Sequence, residues 1–116
     1  MESTRSLITD VYAAFNRRDI DGALALMSEQ VDWPKASEGG HIIGKDEIRA
    51  YWTRQWAVIA PRVQPVEFST GPEGEVIVEV HQVVHDLDGN LLADKMVGHI
   101  FRIEKGLVKR FDIRGS

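Results

Sequence analysis

The sequence predicts an α+β domain, with helices first and an antiparallel meander after them, and two patterns carry that reading. Apolar residues recur at helical spacing through the first half, whereas the second half alternates at period two between tight-turn signals. Helices followed by a run of consecutive strands pack with the helices on one face of the sheet. The 116 residues fit one domain, 1–116, large enough to bury a core without staples.

Leu7, Ile8, Val11, Tyr12 and Phe15 form the apolar stripe of a first helix, with Ser3 or Ser6 available as its cap. Asn16-Arg17-Arg18-Asp19 interrupts it. Asp19 then caps a short second helix whose apolar face is Ile20, Ala23, Leu24 and Met27. Val31-Asp32-Trp33 reads as a strand stopped by Pro34, and Lys35 to Gly44 as the longest loop, with length and glycines that permit a lid. A third helix carries Ile48, Tyr51, Trp52, Gln55, Trp56 and Ile59 on one stripe and ends at Pro61.

Val63 to Phe68 reads as an edge strand, because Pro65 cannot donate to a central ladder. Turns at Gly71–Gly74, Leu87–Asn90 and Glu104–Gly106 then separate strands Val76–His85, Leu91–Ile103 and Leu107–Arg114, with Gly98 a candidate bend or bulge.

The balance of charge excludes some functions. A net charge of −4 with no basic run argues against nucleic acid and anionic membranes as partners. Without cysteine there is no disulfide, thiolate metal site or cysteine nucleophile. The opening residues lack the apolar stretch of a secretory signal, so a cytoplasmic location is expected.

Four phrases in order, Phe15–Ala23, Val31–Pro34, Gly44–Ile48 and His99–Val108, resemble the nuclear transport factor 2-like superfamily in its SnoaL-like and ketosteroid isomerase branch. The resemblance implies a cone-shaped, strongly curved antiparallel sheet wrapped around about three N-terminal helices, with an apolar pocket inside. It also implies a homodimer formed through the outer sheet face, here Ile100, Phe111 and Ile113. The superfamily hosts isomerases, cyclases, binding proteins and non-catalytic dimer modules, so fold alone assigns no activity.

Residue by residue, the resemblance is incomplete. The isomerases carry their general base just before a proline, where this chain has Trp33, and Asp32 beside it points to the opposite strand face. Their oxyanion tyrosine falls at Val11, with Tyr12 next door. The position of their protonated aspartate carries His99. On the last strand the resemblance places Val108, Arg110, Asp112 and Arg114 toward the pocket. His99 and Asp112, with Arg110 holding charge, are therefore the candidate acid–base group. An internal Arg110–Asp112 ion pair beside a hydrogen-bonded His99 is the structural alternative.

Tyr12, Phe15, Met27, Trp33, Tyr51, Trp52, Trp56, His81 and Phe101 are candidate pocket residues, and the aromatic ones among them equally suit a plain core. The face of Val76–His85 is open: either Glu79, His81 and His85 point inward, or Val76, Val78, Val80 and Val84 do. No compact zinc spacing is present, and neither metal nor cofactor is assigned. The expectation is a pocket for a small apolar, carbonyl-bearing molecule, with cofactor-free isomerase or cyclase chemistry. The alternatives are a binding protein without turnover and a dimerisation module with a filled pocket.

Overall fold

The computed structural model describes residues 2–35 and 39–114. Helix α1 spans Glu2–Asn16 and α2 Ile20–Leu24. Strand β1 spans Met27–Pro34, β2 His41–Ile43, then α3 Lys45–Trp56. Strands β3 (Ile59–Thr70), β4 (Val76–Asp86), β5 (Leu91–Glu104) and β6 (Leu107–Arg114) complete the fold.

The six strands form one sheet in the order β2-β1-β6-β5-β4-β3. All neighbours are antiparallel except β1 and β6, which run parallel, so the sheet is mixed rather than purely antiparallel. A parallel pair needs a long connection, and everything between β1 and β6 supplies it.

Local chemistry explains the helix boundaries. Helix α1 begins at Glu2, so the positions of Ser3 and Ser6 lie inside it rather than ahead of it. It stops where Arg18 adopts a left-handed φ of 63°. Arg18 is held there by donating to the carbonyls of Phe15 (3.1 Å) and Pro61 (2.7 Å). The Asp19 carboxylate then accepts from Gly22 N–H at 2.9 Å, capping α2. Helix α3 ends at Trp56, before the expected stop at Pro61, which lies inside β3. β3 is an edge strand, and an edge tolerates Pro61 and Pro65. Asn16 fastens α1 to β3, its amide donating to Val63 O at 2.7 Å and accepting from Val63 N–H at 2.9 Å.

The expected loop Lys35–Gly44 contains the short edge strand β2, and residues 36–38 at its centre lie outside the described residues. Gly98 causes no register shift. Instead, a Cβ there would come within 3.0 Å of Arg114 Nε, so the glycine makes room for Arg114 to reach Glu79 Oε1 at 2.9 Å.

Two one-residue bulges decide which side chains face the helices. At the β4–β5 turn His85 pairs with Leu91, but beyond Leu92 the partners become Val84 and Ala93. Between β5 and β6, Ile103 pairs with Val108 while Arg102 pairs with Arg110, leaving Lys109 as the extra residue. Each extra residue reverses side-chain parity relative to a straight count.

On β4 the buried set is therefore Val78, Val80 and Val84, with Glu79, His81 and His85 on the opposite face. On β6 Val108 and Phe111 are both buried on the helix side, although three positions apart, and Arg110 and Asp112 face outward. Phe111 and Ile113 thus belong to the inner face, not to the outer one expected of a dimer surface. Ile100 alone of that trio remains on the outer side, opposite Asp112.

The core lies between the inner sheet face and the helices. Trp52, Tyr51, Phe101, Ile8 and Met27 are its largest fully buried side chains. No helix among the described residues is long and apolar enough to cross a membrane.

Candidate functional site

Helices α1 and α3 and the inner sheet face line a half-open cavity, in which about 80 Å³ is open to the centre of a water-sized molecule. α1 contributes Val11, Tyr12 and Phe15, one turn of its buried stripe. α3 contributes Tyr51, Trp52 and Gln55, again at helical spacing. β5 provides His99 and Phe101, and β6 Phe111 and Ile113. Trp33 and Pro34 of β1, Pro61 and Val63 of β3, and Gln82 of β4 complete the lining.

Aromatic rings fix the shape of these walls. Trp33 stacks on Phe111 with centroids 4.3 Å apart and meets Trp52 edge-on at 5.4 Å. Phe15 meets Trp52 edge-on at 5.5 Å. Offset-stacked and edge-on pairs of this kind are the favoured arrangements of aromatic quadrupoles. Trp56 backs the wall rather than lining it, stacked on Trp52 at 5.5 Å, with the Arg18 guanidinium 5.0 Å from its ring. Its indole Nε1 is buried with no partner among the described residues. Met27 lies in the core outside the cavity lining.

The polar centre of the cavity is His99, the one buried polar or charged residue among those described. Its Nδ1 lies 2.7 Å from the Tyr12 hydroxyl, and its ring meets Phe111 edge-on at 4.6 Å. Nε2 has no partner among the described residues. Burial disfavours the imidazolium and pulls the His99 pKa down to about 4. Burial likewise pushes the Tyr12 hydroxyl far above its usual value. Both groups are therefore neutral at pH 7, linked by a hydrogen bond in an apolar setting. If the phenol donates to Nδ1, the imidazole presents Nε2–H as a donor. In the other tautomer it presents a lone pair.

The expected partners of His99 lie elsewhere. Arg110 donates to Asp112 through Nε (2.7 Å) and NH2 (3.2 Å), and to Asp32 at 3.0 Å. His41 of β2 joins the same cluster, its Nδ1 2.6 Å from Asp32. Its Nε2 is 3.5 Å from Asp112. The hydrogen bonds to Asp112 raise the Arg110 pKa further. The Lys109 bulge turns this cluster outward, so His99 and Asp112 do not converge, and the ion-pair alternative describes Arg110 and Asp112. His81, also expected in the pocket, faces out and contacts Asp94 at 2.7 Å.

The structure thus brings Tyr12, Phe15, Trp33, Tyr51, Trp52, His99 and Phe101 together and separates Arg110, Asp112, His81, Met27 and Trp56 from them. Sequence reasoning missed Phe111, Gln82, Gln55 and Ile113. Gln82 carried a signal: a single amide in the alternating row Val76, Val78, Val80, Gln82, Val84.

This helix-covered mixed sheet with an aromatic cavity defines a class of small α+β pocket folds. The profile of the SnoaL-like domain matches residues 8–111, and the chain belongs to that family. Similar solved structures have the same nuclear transport factor 2-like fold. A protein of that fold and unknown function from Burkholderia pseudomallei is 28% identical, with a TM-score of 0.85 over 100% of this chain and 92% of the other. TerC, co-crystallised with polyporic acid, is 26% identical, with a TM-score of 0.85 over 98% and 92% of the two chains. A Pseudomonas putida protein bearing the provisional name of polyketide cyclase is 22% identical, with a TM-score of 0.80 over 95% and 89%, a likeness of fold alone. Comparison with curated proteins gives no match.

Proposed function

We propose that this SnoaL-like chain binds a small, planar, largely apolar molecule bearing a carbonyl oxygen, and that His99 holds that oxygen. The observation behind the reading is the buried Tyr12–His99 hydrogen bond at the wall of an aromatic cavity. A phenol donating to Nδ1 fixes the tautomer that offers Nε2–H to a carbonyl. Rings such as Trp33, Trp52 and Phe111 suit a flat apolar body, and the few polar groups orient it. The presence of polyporic acid with TerC supports a small organic ligand.

A neutral donor set in an apolar wall polarises a carbonyl and stabilises the enolate oxygen that develops as a base removes the adjacent hydrogen, which is one half of isomerase and cyclase chemistry. The second half needs a base, and no carboxylate lines the cavity among the described residues. Binding with polarisation is therefore the principal reading. Proton transfer through His99 Nε2 is the second, favoured by the tautomer in which Nδ1–H donates to Tyr12 and Nε2 keeps its lone pair.

Tryptophan fluorescence titrated with flat aryl ketones tests the first reading. Saturable quenching is expected, weakened at least tenfold by His99→Leu for the ketone but not for the matching hydrocarbon. Equal affinity of wild type and variant for the ketone would overturn it. Exchange of the hydrogens beside the carbonyl in heavy water, followed by NMR, separates the second reading. Exchange that needs His99 supports proton transfer, and its absence leaves a binding protein.

A further inference from the structure

Resting on that reading of the pocket, we infer that Gln82 is a specificity-determining residue that reads a second polar group at the far end of an elongated ligand. Gln82 sits on the inward face of β4, in a row whose other members are valines. Val80 before it and Val84 after it are buried, as is Val63 directly across on β3. An amide in such a row has no role in packing that leucine or methionine would not fill better. Gln82 lines the half-open cavity, only partly buried, and its side-chain amide makes no hydrogen bond among the described residues, so it is within reach of a ligand that enters there.

The register sets the spacing of the two polar sites. His99 lies opposite Val78, and Gln82 is four residues further along the same strand. At roughly 3.3 Å per residue the two backbone positions are about 13 Å apart. Side chains on one strand face stand roughly perpendicular to the sheet, so their polar ends are separated by about the same distance. One six-membered ring is too short to bridge it, whereas two linked or fused rings span it. An amide both donates and accepts, so it suits a hydroxyl, which does the same. The ligand class is thus a two- or three-ring aromatic carbonyl compound with a hydroxyl at the end opposite the carbonyl.

A matched probe pair tests this: para-acetylbiphenyl, and the analogue with a hydroxyl on the para carbon of its second ring. Both are titrated into the wild type, Gln82→Met and Gln82→Leu, with melting curves to confirm that the variants fold. The wild type should prefer the hydroxylated probe by about fivefold to tenfold, the value of one neutral hydrogen bond. Both variants should abolish that preference. Equal binding of the two probes by the wild type, or a preference that survives in both variants, would overturn the role of Gln82 and leave the pocket reading intact. An equal loss for both probes in the variants would mark Gln82 as structural and overturn it as well. If the wild type binds neither probe, while His99→Leu changes the affinity for no aryl ketone, the pocket reading falls and this inference with it.

Discussion

The Tyr12 hydroxyl and His99 Nδ1 lie 2.7 Å apart inside the core, joining the first helix to the fifth strand across 87 residues of sequence. Two neutral groups that each satisfy the other form a contact that both the fold and the cavity depend on.

Removing the hydroxyl leaves Nδ1 buried and unpaired. Tyr12→Phe should lower stability by about 1–3 kcal/mol, the cost of an unsatisfied buried polar group. Urea denaturation measures it. An unchanged midpoint would show that the imidazole finds another partner.

The pH dependence has a definite sign. His99 has its folded pKa at about 4, below the ordinary 6.5, so the unfolded chain takes up the proton first as pH falls. The stability associated with neutral His99 is complete above about pH 6.5 and is lost progressively down to about pH 4. The loss is on the order of 3 kcal/mol, since each pKa unit is worth about 1.4 kcal/mol. His99→Leu should flatten this part of the stability–pH curve. A wild-type curve level from pH 7 to 4 would contradict the burial of a neutral imidazole.

Asp112 and Arg110 are half-exposed on the outer face, where ion pairs contribute at most about 1 kcal/mol. Asp112→Asn should leave ligand affinity within twofold of wild type. A tenfold loss on fluorescence titration would return Asp112 to the pocket.

Deleting Lys109 removes the extra residue of the bulge while Val108 keeps its pairing with Ile103 and Arg110 its pairing with Arg102. Plain alternation then still turns Val108 and Phe111 inward and Arg110 and Asp112 outward. The deletion should therefore keep the dispersed amide spectrum of a folded domain, and a collapsed spectrum would show that the last strand needs the local twist of the bulge itself.

The elements were legible in the sequence because their signals are local. Asp19 caps α2 as its carboxylate chemistry requires and Pro65 lies on an edge strand, whereas the valine alternation of β4 pointed to its inner face without deciding it. The acid–base group was not legible, because it turns on parity. Counting back from the turn where Asp86 N–H bonds Asn90 O puts Ile77 opposite His99, but the extra residue Leu92 makes it Val78. That step decides whether His81 or Val80 faces inward. The extra residue Lys109 does the same on β6, exchanging Asp112 for Phe111. Neither Leu92 nor Lys109 is a glycine, and nothing in its residue type announces a bulge. Tyr12 was undervalued for a simpler reason: a cavity wall at the end of a helix spans more than one position, and both Val11 and Tyr12 reach it.

The parallel pairing of β1 with β6 also shapes the order in which the molecule can form. Asp32 and Arg110, joined across that pair, are 78 positions apart in sequence. During synthesis β1 emerges long before β6, and until then it has only the three-residue β2 as a neighbour. Through this interval Trp33 has Trp52 of α3 against its ring edge-on but lacks its stacking partner Phe111, which arrives with β6. Completion of the sheet is thereby a late, non-local closure, the kind of contact that slows folding. The nascent chain spends that waiting time with an open edge and a half-covered indole, the state in which chaperone capture or self-association competes with completion.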